Sequence, residues 1–262
     1  CGVMGPYIIT RRIVFLAGAI AHIAIGGVGA AIYLTHRFPE GCSGLNPLMG
    51  ATVVSVLAAV VLAILHQRAQ ERLDTVVGAL WAIGMAAGLL LIKMTPGYHT
   101  ELMSYLFGNI AFVGWDSIRL MVGLDLIIVV VAVLWHKRFL ALCLDEEQAE
   151  LQGISVLATE IVLLVLVALT VIVLTQIVGL ILVIALLSLP AAAVAQRVPR
   201  MTSLISYSVV LSGMLTTVPR VLVYGTRISP EAAIVLAAAG IYLTAVVLRR
   251  WRRSDGAKNA AA

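Results

Sequence analysis

Few ionisable side chains lie inside the long apolar stretches of this 262-residue chain, and His22 lies in the middle of one of them. An ionisable group in apolar surroundings costs free energy, so each such residue is a candidate for function. Imidazole is a good ligand for zinc, manganese or iron. A single imidazole cannot build a metal site, so a hydrogen bond between helices is the alternative role for His22.

Three further residues, Asp125, His99 and Glu101, are weaker candidates for contact with a cation. Asp125 lies about two turns into an apolar stretch, and Glu160 lies about one turn from the end of another, where it could reach water. His99 and Glu101 lie between two stretches, where they could meet an incoming cation. Carboxylate and imidazole are both metal ligands, so the pattern favours the handling of cations.

The sequence carries no motif of an enzyme. It has no Walker, HExxH or GxSxG motif, and Cys1, Cys42 and Cys143 form no CxxC pair. An intramembrane enzyme would need polar groups that converge at one depth. Because the ionisable groups lie at different depths of their stretches, the chain is predicted to be non-catalytic.

The composition places the chain in the membrane. Hydrophobic residues make up 61% and charged residues 12%, and the mean hydropathy is +1.06. Soluble domains average about 45–50% apolar and about 25% charged residues. The net charge of +5 does not indicate nucleic-acid binding, because the basic residues lie between apolar runs.

A spanning helix needs roughly 20 mostly apolar residues, and backbone groups in lipid must be satisfied within the helix. We therefore predict an all-α polytopic membrane bundle, a single domain over residues 1–262, with a truncated first span at Cys1 to Pro6. The eight predicted spans are Ile13 to Leu34, Pro47 to Leu65, Leu73 to Ile92, Ile118 to Trp135, Ser155 to Thr175, Ile177 to Ala195, Ser203 to Tyr224 and Ala232 to Leu248.

Lysine and arginine predict the orientation, since they are enriched in cytoplasmic loops. Most of the 18 basic residues fall on one side when the loop at Arg11 and Arg12 is cytoplasmic. The C-terminus, with Arg249, Arg250, Arg252 and Arg253, is then cytoplasmic. Parity requires that Glu101 to Asn109 does not cross, so we expect a short outer helix or re-entrant piece there.

Two connections on the predicted cytoplasmic side have a distinct composition. Asp145 can cap a short helix that ends at Gly153. Pro190 should kink or loosen a helix end. The second connection runs on through small residues to Arg200, and small residues allow helices to pack closely.

An ordered series of motifs resembles the zinc/manganese-type permeases of ABC importers, the ABC-3 family. It runs over nearly the whole chain. The motifs are Gly5 to Arg12, Phe15, Ala21-His22, Leu73-Asp74-Thr75, Leu102 to Gly108, Asp145 to Gly153, and Gly179 to Leu189 leading into Pro190 to Ala193.

This resemblance implies a multi-pass inner-membrane homodimer with a translocation path along the dimer interface. Two ATPase subunits would bind ATP, and a separate extracytoplasmic protein would deliver Zn²⁺, Mn²⁺ or Fe²⁺, so the chain itself would bind no cofactor. It also implies that Ala191 to Ser203 contains the segment that docks into the ATPase. The coupling residues are then Ala191, Ala192, Ala193, Gln196, Arg197 and Arg200.

The chain departs from the family pattern at two positions. The family often has Asp four residues before the His, where this chain has Gly18, and often ends the Tyr-Leu-Phe-Gly motif with Asp, where this chain has Asn109. Fewer carboxylates leave less charge for a hard cation such as Mn²⁺, which favours zinc. Two rival functions are a permease for a metal chelate of the siderophore or corrinoid type, which usually has about ten spans, and a secondary transporter with inverted repeats.

Overall fold

A computed structural model of the chain describes residues 1–39, 41, 44–68, 73–96, 115–226 and 229–260, with side chains except at 116, 117, 120, 176, 177, 181 and 252–260. The regular elements of the described residues are helices, as predicted. The helices are α1 Met4–Arg11, α2 Val14–Arg37, α3 Pro47–Arg68, α4 Leu73–Lys93, α5 Trp115–Leu134, α6 His136–Leu144, α7 Glu146–Leu151, α8 Val156–Val178, α9 Leu180–Ala195, α10 Met201–Leu222 and α11 Pro230–Ala260.

All eight predicted apolar stretches form helices among the described residues, so the predicted polytopic helical bundle is confirmed. Six helices, α2, α3, α4, α8, α10 and α11, are each long and apolar enough to cross a membrane, and α5 with α6 forms a pair bent by 64° that makes a seventh if it is one span. Gly179, with φ of 78°, separates α8 from α9. The 16 residues of α9 therefore extend about 24 Å, short of the about 30 Å hydrocarbon core.

The chain divides into two compact units. One comprises Arg11–Val183, and the other comprises Cys1–Thr10 with Ile184–Ala262. The boundaries fall inside α1 and α9. The single domain predicted over residues 1–262 stays a prediction.

Helix α2 is the centre of the unit Arg11–Val183. It packs against α3, α4 and α8. In the most apolar part of α2, 78% of the residues are buried, whereas 17% are buried in the corresponding part of α4. A helix that is apolar on all sides belongs in the interior of a bundle, because each face needs an apolar neighbour.

Glycines bring α2 into backbone contact with its neighbours. A methyl group added at Gly26 would lie 2.8 Å from the carbonyl oxygen of Gly84, and one at Gly29 would lie 2.9 Å from the Cα of Gly88. Gly50 of α3 approaches α2 in the same way. Small residues of this kind let membrane helices gain van der Waals contact that lipid does not otherwise provide.

In the second unit, α1 and α9 also approach each other closely at a glycine. A methyl group at Gly5 of α1 would contact the carbonyl oxygen of Leu187 and lie 3.2 Å from the Cβ of Ala191, both on α9. In the same unit, α10 packs against α11. Pro190 lies inside α9, and the helix continues past it to Ala195.

The short helix α7 begins as predicted. The Asp145 carboxylate accepts hydrogen bonds from the backbone N–H groups of Glu147 at 2.9 Å and Gln148 at 3.4 Å. The helix ends at Leu151, and Gly153 follows with φ of 75°, a conformation that favours glycine.

We predict that Gly88→Ala destabilises the protein by about 1–3 kcal/mol, because the new methyl group forces the backbones of α2 and α4 apart. Gly78→Ala is the matched control in the same helix, since no described atom lies within 4 Å of a methyl group there. Each variant is purified in a mild detergent and titrated with dodecyl sulfate. The midpoint of unfolding then gives the stability of each variant. Equal midpoints for the two variants would contradict the close contact.

Candidate functional site

His22 lies on α2 against an aromatic side chain of α4. Its ring stacks on the Trp81 ring with centroids 4.4 Å apart and planes 21° from parallel. Phe15 lies two turns before His22 and contacts the same indole, with centroids 5.7 Å apart. One turn beyond these rings, Gly26 and Gly84 bring the two backbones together, so the glycine contact holds His22 on Trp81.

One ring nitrogen of His22 has no hydrogen bond. Nδ1 is buried and finds no partner among the described residues. A buried polar atom without a partner is uncommon and calls for an explanation. The interhelical hydrogen bond that was the alternative role for His22 is thus not formed by Nδ1, and the nitrogen is free to bind a ligand.

The other predicted cation-binding residues do not join His22 in a described cluster. Within the described ranges, no three His, Cys, Asp or Glu side chains are grouped so that they could hold a metal ion. Asp125 is exposed on α5 and forms no hydrogen bond or ion pair with a described residue. Gly18, one turn before His22, is buried and offers no ligand. His99 and Glu101 lie outside the described residues.

The predicted coupling residues fall into a buried and an exposed group. Ala191 and Ala193 are buried in the last turns of α9, and Ala192 lies half-buried between them. Gln196 is half-buried in the turn that follows, whereas Arg197 and Arg200 are exposed. The exposed surface of this segment therefore begins after the alanines.

A buried ion network that the sequence analysis did not predict surrounds Glu160 of α8. The Glu160 side chain is 0% exposed. It contacts Nδ1 of His66, accepts a hydrogen bond of 2.9 Å from Nε2 of Gln67, and lies 3.4 Å from Nη2 of Arg11. The expectation that Glu160 reaches water is wrong, because three side chains from other helices cover it.

Arg11 extends the network to the α6–α7 connection. Its Nη1 donates to Oε1 of Glu146 at 2.6 Å and to the backbone carbonyl of Leu142 at 3.2 Å. The Arg11 side chain is 9% exposed. It is therefore a buried ion-pair partner as well as a basic residue at the end of a membrane span. Arg12 next to it has φ of 60°, which is unfavourable for a residue with a side chain and makes the sharp turn into α2.

A signal for this network was present in the sequence. The predicted topology places Arg11, the end of α3 and the start of α8 on the same side of the membrane. A carboxylate one turn inside a span at that side needs a cation, and buried charges in membranes are generally paired. The identity of the partners depends on contacts between residues far apart in the chain.

An all-helical bundle with several membrane-length apolar helices is the architecture of a polytopic membrane protein. Residues 1–249 match the model of the ABC 3 transport family. The chain belongs to this family, so it is a multi-pass membrane permease subunit of an ABC transporter and is not itself an enzyme. The predicted family and the predicted non-catalytic role are both confirmed.

Relatives and a solved structure agree with this assignment. The chain is 33% identical over 249 residues to a "probable metal transport system membrane protein" of Chlamydia trachomatis, covering 95% of this chain and 84% of the relative. It is 27% identical to the manganese transport system membrane protein MntC of Halalkalibacterium halodurans, covering 96% and 86%. A chain of PsaBC from Streptococcus pneumoniae, solved in complex with Fab, superimposes with a TM-score of 0.79 at 27% identity, covering 93% of this chain and 84% of that one.

We predict that Glu160→Gln destabilises the protein by about 3–5 kcal/mol, because removing one partner leaves the buried Arg11 charge without compensation. Glu147→Gln is the control, since this exposed glutamate lies on the neighbouring α7. Unfolding midpoints in detergent compare the two variants. The double variant Arg11→Gln/Glu160→Gln should cost less than the sum of its single variants. Additive losses would show that the two charges are not coupled.

Proposed function

We propose that this chain is the permease subunit of an ABC importer for divalent metal ions, with zinc or manganese as the transported ion. The observation that carries the proposal is the family match over residues 1–249, together with a relative named as a metal transport membrane protein. The metal is cargo, so the chain binds it transiently and holds no cofactor of its own.

His22 is the residue we propose for the translocation path. It lies in the middle of a buried helix, its ring is held against Trp81, and its Nδ1 has no described partner. A single imidazole is a weak metal site, and weak binding suits transport because a tightly bound ion would not leave. Asp125 is a further candidate, since an exposed carboxylate in an apolar helix is costly in lipid and favours a protein or aqueous neighbour.

The choice between the two metals rests on opposing observations. Gly18 removes a carboxylate one turn from His22, and a ligand set with more nitrogen and less oxygen favours zinc over manganese. MntC, which resembles this chain at 27% identity, is named for manganese. We give priority to the ligand chemistry and propose zinc first, with manganese as the alternative ion and Fe²⁺ as a third.

The proposed assembly is an inner-membrane homodimer with two ATPase subunits and a separate metal-binding protein, and its C-termini face the cytoplasm. ATP binding and hydrolysis in the ATPase subunits would move the segment Ala191 to Ser203, and the helices would then alternate between outward-open and inward-open states. In this segment, the exposed Arg197 and Arg200 and the half-buried Gln196 are available for docking. The buried alanines would transmit the movement to α9.

We predict that His22→Ala lowers zinc or manganese accumulation by about tenfold or more, equivalent to ~1.4 kcal/mol in the transport barrier. The test expresses the permease with its ATPase and binding protein in cells that lack their own zinc and manganese uptake. Elemental analysis then measures the metal in the cells. His36→Ala is the control, because this exposed histidine lies in the last turn of the same helix.

The two variants must reach the membrane in equal amounts for the comparison to hold. Uptake that depends on the permease but is unchanged by His22→Ala would remove His22 from the path. Absence of metal uptake by an assembled complex with ATPase activity would contradict the metal-ion function and favour a permease for a metal chelate or another substrate.

We predict that Arg200→Glu uncouples ATP hydrolysis from transport, because the reversed charge disturbs the docking surface without touching the buried alanines. The measurement is the stimulation of ATPase activity by the metal-loaded binding protein in reconstituted vesicles. Lys137→Glu is the matched charge reversal at an exposed position on α6, outside this segment, and it should leave the stimulation unchanged. Normal coupling in Arg200→Glu would contradict the assignment of this segment.

A further inference from the structure

An apolar groove lies on the unit that comprises Cys1–Thr10 and Ile184–Ala262. It has a volume of about 620 Å³, within the about 300–1,000 Å³ typical of ligand sites. The turn after α9 forms one end, and α10 and α11 form the walls. Side chains that line it include Ala193, Arg197, Tyr207, Met214, Thr244 and Leu248.

One arginine lines this groove, and a second lies close to it. Arg197 lines it directly, and Arg249 follows Leu248, which also lines it. Nη1 of Arg249 donates a hydrogen bond of 2.6 Å to Oε1 of Gln196, the neighbour of Arg197 in the chain. This bond holds the Arg249 side chain next to the turn that carries Arg197. Within the described part of the chain, no carboxylate forms an ion pair with either arginine.

The end with the arginines has the composition of a membrane interface. Both α10 and α11 are candidate spans, so the apolar part of the groove lies along membrane-crossing helices. Tyr207 in the groove is 59% exposed, and Trp251, which follows the arginines on α11, is 71% exposed. Tyrosine, tryptophan and arginine gather where the hydrocarbon core meets the headgroups.

We propose that this groove binds an anionic phospholipid, with an acyl chain along the apolar walls and the phosphate at Arg197 and Arg249. The guanidinium fork matches a phosphate in geometry and charge, and basic pockets between membrane helices bind anionic headgroups. A zwitterionic lipid would fill the apolar walls equally well but carries an ammonium group that the arginines repel. A free phosphate would use the arginines and leave the apolar groove empty.

This site shares Arg197 and Gln196 with the segment proposed to dock on the ATPase, so it is tested on the permease chain without its ATPase, and it does not depend on the proposed metal cargo. It requires that α10 and α11 lie in the bilayer, and neither the identity of the cargo nor the orientation of the chain enters the argument. Failure of the metal-uptake experiment therefore has no bearing on the lipid site, and failure of the lipid experiment has none on the cargo.

The test reconstitutes the full chain in vesicles that contain phosphatidylglycerol or phosphatidylcholine with a diazirine in one acyl chain. After illumination, peptide mapping by mass spectrometry measures the lipid cross-linked to α10 and α11. We expect several-fold more cross-linking in the groove from phosphatidylglycerol than from phosphatidylcholine. The double variant Arg197→Gln/Arg249→Gln should lower the phosphatidylglycerol yield to the phosphatidylcholine level, whereas Arg220→Gln should keep the difference.

A second pair of variants tests the groove itself. Thr244→Trp fills it and should lower cross-linking from both lipids, whereas Leu243→Trp, at a neighbouring residue that is 60% exposed and outside the lining, should not. Equal yields from the two lipids, or a difference that survives the double arginine variant, would overturn the proposal. A Thr244→Trp variant that impairs subunit assembly but leaves cross-linking unchanged would instead assign the groove to a protein contact.

Discussion

Backbone contact along α2 is the constraint on which the unit Arg11–Val183 depends. In water, apolar faces associate because water is released, but lipid tails are as apolar as the helices, so packing must come from close contact. Gly26, Gly29 and Gly84 allow that contact, because they have no side-chain atoms to hold the two backbones apart. The same contact places His22 on Trp81, so the position of the candidate site follows from the packing of the helices.

Glu160 and His22, both in this unit, differ in how their polar atoms are satisfied. Glu160 has Arg11, His66 and Gln67 around it, so its charge is compensated within the fold. His22 has an aromatic ring on one face and a buried nitrogen without a described partner. Pairing offsets the cost of burying a charge, whereas a buried nitrogen without a partner costs free energy that binding can recover. This difference supports the proposal that His22 meets a ligand, whereas Glu160 is held among its partners within the fold.

Hydropathy and cap chemistry predicted much of the fold, because both are local. Every predicted apolar stretch became a helix, and Asp145 caps α7 as expected. Helix α9 is shorter than the predicted span, because the break at Gly179 shortens the helix within an uninterrupted apolar run. The contacts around Glu160 were not predicted, for another reason. Gln67 lies 93 residues and Arg11 149 residues away in sequence, so their meeting depends on tertiary packing that no local pattern encodes.

The Glu160 network also has a consequence for how such a permease could move. Arg11, at the turn into α2, bridges Glu160 of α8 and Glu146 of α7, and His66 and Gln67 add the end of α3. Separating any of these elements would expose or strand a buried charge, which costs several kcal/mol. Packed interfaces of this kind move as bodies, and changes in dihedral angle concentrate in a few connecting residues. The ends of α3, α7 and α8 that meet Arg11 are therefore expected to move as one body in the proposed alternation between outward-open and inward-open states.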